Sequence, residues 1–110
     1  MDAYTLALSW LARRELTERQ VRTRLARRDV EARDIDAAVE RLRREGALDD
    51  RRVAGAYVRT AVRLKGRGPL RLRRDLHALG VSGAAASEAI TLASPQWETP
   101  LGLVAALIRP

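Results

Sequence analysis

Apolar residues in this chain recur three and four places apart and almost never alternate, a spacing that builds one buried stripe on a helix and no buried face on a strand. β-Branched and aromatic residues are sparse and Phe is absent, so the side chains that strands favour are missing. An all-α fold follows, and the breaks between stripes divide it into helices. Ala3–Arg14 carries Leu6, Ala7, Trp10 and Leu11 on one side. Thr17 with Gln20 has the spacing of a capping box and opens a second helix with Val21 and Leu25 facing inward. A third helix is predicted from about Ala32 to Glu45 on the stripe Ile35, Ala38, Val39 and Leu42, stopped by Gly46.

Leu48, Asp49 and Asp50 read as a staple residue and an N-cap for a fourth helix, Asp50 to about Leu64, with Val53, Ala54, Tyr57, Val58, Ala61 and Val62 inward. Lys65-Gly66-Arg67-Gly68-Pro69 interrupts the pattern, and Pro69 suits the first position of a fifth helix that buries Leu72, Leu76 and Leu79 and stops at Gly80. Ser82 caps a sixth, Gly83–Ala93, anchored by Ala86, Ala89 and Ile90; Ser94-Pro95 is expected to end it. Sliding the chain on itself by 51 residues sets Ala3 on Ala54, Leu6 on Tyr57, Leu11 on Val62, Val21 on Leu72, Leu25 on Leu76, Val30 on Val81 and Val39 on Ile90. The pattern is that of two tandem three-helix repeats, 1–46 and 47–93, each too small to hide its apolar face alone. One irregular six-helix bundle is the alternative. Residues 94–110 fall outside the repeat, as an irregular tail or one short docking helix built on Leu101, Leu103, Val104, Leu107 and Ile108.

The formal charge of +7 is concentrated. Arg59, Arg63, Lys65, Arg67, Arg71, Arg73 and Arg74 contain no acid among them, and outside this stretch the fourteen remaining cations are matched by fourteen acids. Such a local field speeds encounter with polyanions or acidic protein faces and makes it salt-dependent. Two glycines, Gly66 and Gly68, turn the chain sharply between two Arg-bearing helices. Arg71 and Arg74 share a helix face opposite the leucine stripe, and Arg59, Arg63, Lys65 and Arg67 line the approach. Guanidinium forks suit carboxylates and phosphates, so this corner is the candidate binding surface, with Gly66, Gly68, Pro69 and Gly80 as its structural turns.

Catalytic and cofactor chemistry has little to draw on. Without cysteine there is no disulfide, thiolate metal site or thiol nucleophile, and His77 is the only histidine. It flanks the Leu72/Leu76 stripe as a surface or boundary residue, and Asp49-Asp50 serves a helix start rather than a metal. Gly66-Arg67-Gly68 follows a helix and lacks the Lys-Ser/Thr of a phosphate loop. No enzyme, metal, cofactor or small-molecule substrate is expected. Trp10 and Tyr57 fall on helical stripes as core residues, leaving little for base stacking. The longest apolar stretch, Leu101–Ile108, is far below the roughly 20 residues of a bilayer span, and no signal peptide opens the chain. A cytoplasmic monomer without membrane contact is the expectation.

The composite Thr17-x-x-Gln20-Val21-x-x-x-Leu25, Ile35-x-x-x-Val39-x-x-Leu42-x-x-x-Gly46-x-Leu48-Asp49-Asp50 and Gly66-Arg67-Gly68-Pro69-Leu70-Arg71-Leu72-x-x-x-Leu76-x-x-x-Gly80-Val81, after the Ala3–Arg14 helix, resembles the RecX family of recombination regulators over about residues 3–93. The resemblance implies tandem three-helix repeats, no catalysis, and binding to the RecA recombinase filament on DNA, usually with inhibition, in recombination, repair and the SOS response. Family members typically carry a third repeat, of which only Trp97-Glu98 matches the opening here, so 94–110 is expected to be its remnant or divergent start. A plain basic helical DNA- or RNA-binding module, and an interaction scaffold recruiting partners through the apolar tail, are the competing functions.

Overall fold

The computed structural model describes residues 1–98, and side chains through Ala93. Among these there are six α-helices and no strand: α1 (Ala3–Leu11), α2 (Glu18–Arg27), α3 (Ala32–Arg44), α4 (Asp50–Thr60), α5 (Pro69–Leu79) and α6 (Gly83–Glu98), with a π-helical turn, Ala61–Lys65, continuing α4. The chain divides into two compact units, Met1–Val53 and a second that opens at Ala54.

In the first unit, α1, α2 and α3 pack around Ala7, Leu16, Val21, Leu25, Ile35, Val39, Leu42 and Leu48. Asp2 caps α1 by accepting the Thr5 N–H at 2.7 Å. α1 stops at Leu11, short of the Arg14 that helix-forming side chains alone predict, because the chain must turn inward to bury Leu16 and Thr17 against the core. Thr17 then completes the capping box with Gln20, whose N–H donates to Oγ1 at 3.2 Å and whose Oε1 accepts the Thr17 N–H at 2.9 Å. Asp49 caps α4 by accepting the Arg51 and Arg52 N–H groups. Asp50 instead reaches back to α2 and accepts the Glu18 N–H at 2.9 Å. Burial there pushes its carboxyl above the ordinary carboxylate value.

The second unit buries Ala54, Val58, Ala61, Leu72, Leu76, Val81, Ala86, Ala89, Ile90 and Ala93. Two local expectations fail in it. α4 does not run on as a regular helix to Leu64: a wider π turn takes over at Ala61 and ends at Gly66, whose left-handed φ of +62° suits glycine. That turn keeps Ala61 buried and lets the Arg67 N–H double back toward the Ala61 carbonyl. α6 does not end at Ser94-Pro95 but continues to Glu98. Proline removes a single donor and crowds one carbonyl, which weakens a helix at one rung without ending it where neighbouring residues tolerate helix. Of residues 94–110, read as a tail or the start of a third repeat, 94–98 belong to α6; residues 99–110, with the apolar run 101–108, lie outside the described residues.

The 51-residue register holds in the backbone. The Val30 N–H bonds the Leu25 carbonyl as Val81 bonds Leu76, and Asp29 bonds Ala26 as Gly80 bonds His77. Val21 bonds Thr17 as Leu72 bonds Gly68, and Ile35 bonds Glu31 as Ala86 bonds Ser82. Both units close their second helix with a left-handed residue at the same place, Asp29 at φ 60° and Gly80 at φ 95°.

Candidate functional site

The six candidate cations sit on four successive pieces of the second unit. Arg59 ends α4, Arg63 and Lys65 ride the π turn, Arg67 lies between the two glycines, and Arg71 and Arg74 follow on the first turns of α5. Five of them, Arg59, Arg63, Lys65, Arg71 and Arg74, are exposed. Arg67 is not among the exposed set. Its side chain is only 23% exposed, and Nη1 donates to Asp75 Oδ2 at 2.5 Å and to the Tyr57 hydroxyl at 2.7 Å. Tyr57 in turn donates to Asp75 Oδ2 at 2.6 Å. The Tyr57 hydrogen bond and the Arg67 guanidinium hold the Asp75 carboxyl below its ordinary value, while burial and then Asp75 push the Tyr57 hydroxyl up.

Asp75 lies one residue past the acid-free stretch and also draws Arg71, at a looser 3.5 Å. Arg73 turns to the other side and donates to Ser87 Oγ at 2.7 Å. Among the described residues Arg59, Arg63, Lys65 and Arg74 make no ion pair. The turn glycines are exposed and a side chain added at either would meet nothing within 4 Å. Gly80 closes α5 as expected. Two features went unread in the sequence. One is the Tyr57–Arg67–Asp75 network, whose only signal was an acid four residues after Arg71. The other is a pair of exposed leucines, Leu64 at 68% and Leu70 at 73%, on either side of the turn.

Several arginines of the first unit meet acids of that unit. Arg22 pairs with Glu18 and Asp36, Arg43 with Glu18 and Glu40, Arg41 with Glu45 and Arg52 with Glu15. Arg24 lies over the Trp10 ring and Arg41 over Tyr4, whose hydroxyl donates to Glu45. Trp10 and Tyr57 are half-buried against their cores, as their stripe positions predict. His77 is exposed, and among the described residues no group of three His, Cys, Asp or Glu is placed to hold a metal. No helix among them is long and apolar enough to cross a membrane. A shallow groove beside α1 and α3, about 640 Å³, is rimmed by Asp2, Asp29, Glu31 and Asp34 and brings together no nucleophile and base.

Two family models match this arrangement unit by unit: the first three-helix domain of RecX over residues 3–42 and the second over residues 49–90. The chain belongs to the RecX family. It is 35% identical over 104 residues to the regulatory protein RecX of Levilactobacillus brevis, covering 94% of this chain and 39% of that protein. It is 41% identical over 87 residues to RecX of Acidithiobacillus ferrooxidans, covering 79% and 57%. The crystal structure of RecX from Lactobacillus salivarius superposes with a TM-score of 0.85 at 24% identity, over 94% of this chain and 68% of that one. The chain thus spans from about three tenths to three fifths of the length of the curated RecX relatives it matches.

Proposed function

We propose that this RecX chain regulates the RecA recombinase filament on DNA, most simply by inhibiting it, and that it does so through the basic corner around Lys65–Arg74. The observation that carries this is charge left uncompensated in one place. Outside residues 59–74 the fourteen cations are matched in number by fourteen acids, and Arg22, Arg33, Arg41, Arg43 and Arg52 of the first unit meet carboxylates of that unit. By contrast, Arg59, Arg63, Lys65 and Arg74 face solvent in a stretch with no acid, with the neighbouring Asp75 already engaged by Arg67 and Arg71. Unpaired surface cations raise association rates with anionic partners and contribute little to stability. The relatives' shared name, regulatory protein RecX, supports a regulatory role for this chain, and tandem repeats 1–46 and 47–93 acting as a cytoplasmic, non-catalytic monomer complete the proposal.

Titration of the chain into RecA-catalysed ATP hydrolysis and strand exchange on single-stranded DNA tests it. A concentration-dependent fall in both rates is expected; unchanged rates at saturating chain would remove it. The exposed cations also favour a second reading, a generic DNA-binding module. Under that reading affinity for bare DNA falls by about 0.9 log units per phosphate contact for each log unit of salt, and an affinity flat between low and moderate salt argues against it.

A further inference from the structure

The corner is not merely basic. Leu64, in the π turn, and Leu70, in the first turn of α5, are more than two-thirds exposed, and each is set among cations: Leu64 between Arg63 and Lys65, Leu70 one helical turn from Arg73 and Arg74. A single exposed leucine needs no explanation. Two within seven residues, flanking one turn inside the most basic stretch of the chain, set exposed apolar area beside exposed positive charge, and a partner complementary to both offers negative charge and apolar area. The backbone of a nucleic acid offers only the charge.

The turn itself bears the same mark. Gly68 has φ −86° and ψ 176°, extended backbone that any residue adopts, and a Cβ there would meet nothing within 4 Å. Neither conformation nor internal packing requires glycine. The position 51 residues earlier is Thr17, which caps its helix, whereas Gly68 makes no side-chain cap bond to α5. Glycine here forgoes a stabilising cap and leaves the turn bare for a surface that approaches the backbone closely.

We infer that the Leu64–Arg74 turn docks a protein segment that is acidic and carries apolar side chains, its carboxylates set against Arg63, Lys65, Arg71 and Arg74 and its apolar groups on Leu64 and Leu70. This rests on the filament-binding role proposed above and assigns the surface to the protein component rather than the DNA component of the target. The Tyr57–Arg67–Asp75 network fixes the turn from within, so the docking face is presented preformed.

The test compares capture of wild-type chain, Leu64→Ser with Leu70→Ser, and Gly68→Thr on RecA-coated single-stranded DNA and on the same DNA bare. Because the two leucines are exposed, the double variant keeps its helical circular dichroism and melting temperature; it should lose roughly tenfold or more in affinity for RecA-coated DNA while its affinity for bare DNA stays the same. Gly68→Thr, which fits the extended residue before Pro69, should melt no lower than wild type yet bind coated DNA several-fold more weakly. Equal loss on coated and bare DNA makes the occupant nucleic acid and overturns the inference. So does unchanged binding of the leucine variant, or a wild-type dimer in analytical ultracentrifugation that the leucine substitutions abolish. Failure of wild-type chain to bind coated DNA at all removes the filament-binding role itself, a result distinct from these.

Discussion

Asp75 is the residue on which the geometry of the basic corner turns. It receives Tyr57 and Arg67 on one oxygen and Arg71 on the other, so its folded-state pKa lies below the ordinary 3.8. A carboxylate depressed on folding contributes stability that is complete above its unfolded value and is lost as pH falls through the folded one. Asp75→Asn, which removes the charge but keeps the shape, should therefore cost about 1–3 kcal/mol at pH 7, and the gap in melting temperature from wild type should close as pH falls well below 3.8. A gap that persists undiminished in acid would show that charge at Asp75 is not what holds the turn. The buried leucines are simpler. Leu25 and Leu76, 51 positions apart, are both fully buried, so replacing either with Ala should cost about 2–5 kcal/mol in chemical denaturation. These core positions were legible because burial repeats at helical spacing. The inward course of Arg67 was not, because its partners Tyr57 and Asp75 lie ten residues before it and eight after, and only folding brings them to it.

At the scale of elements, caps and stops were written in the chain, but departures from regular geometry were not. Thr17 with Gln20, Pro69 and Gly80 mark helix ends through local chemistry that acts in any context. The π turn has no such signature. It depends on how Ala61 and Arg67 are accommodated by the rest of the unit, and Pro95 likewise reads as a stop although α6 passes through it. The paired left-handed residues offer a test of the repeat itself. Gly80 holds φ 95° without strain, so Gly80→Ala should lower stability by about 1–2 kcal/mol. Asp29, at φ 60° in the matching place, carries a side chain where glycine is favoured, so Asp29→Gly should change stability by no more than about 1 kcal/mol and in the stabilising direction. Opposite signs in thermal melts are expected; a loss of stability on Asp29→Gly would mean the aspartate side chain serves its turn in a way the shared backbone does not explain.

For the whole molecule, one arginine-rich composition serves two ends. The fold class and the doubling were visible in the spacing of apolar residues, and the net charge was localised by counting. Which arginines are spent inside the protein could not be counted, because it depends on acids brought near by folding: Glu18 gathers Arg22 from its own helix and Arg43 from α3. The resulting division predicts opposite phenotypes for the same substitution. Arg22→Ala removes ion pairs to Glu18 and Asp36 that are partly exposed, so it should lower stability by up to about 1 kcal/mol and leave binding to RecA-coated DNA unchanged. Arg71→Ala with Arg74→Ala removes exposed charge and at most one loose contact to Asp75, so stability should stay within about 0.5 kcal/mol. Its binding to RecA-coated DNA should instead weaken and become less sensitive to salt, since fewer counterions are displaced on contact. Melting curves and binding isotherms at two salt concentrations, measured on both variants, separate the two roles. If Arg22→Ala weakened binding as much as the α5 pair did, the basic corner would hold no privileged place, and the arginines would act as one diffuse field over the chain.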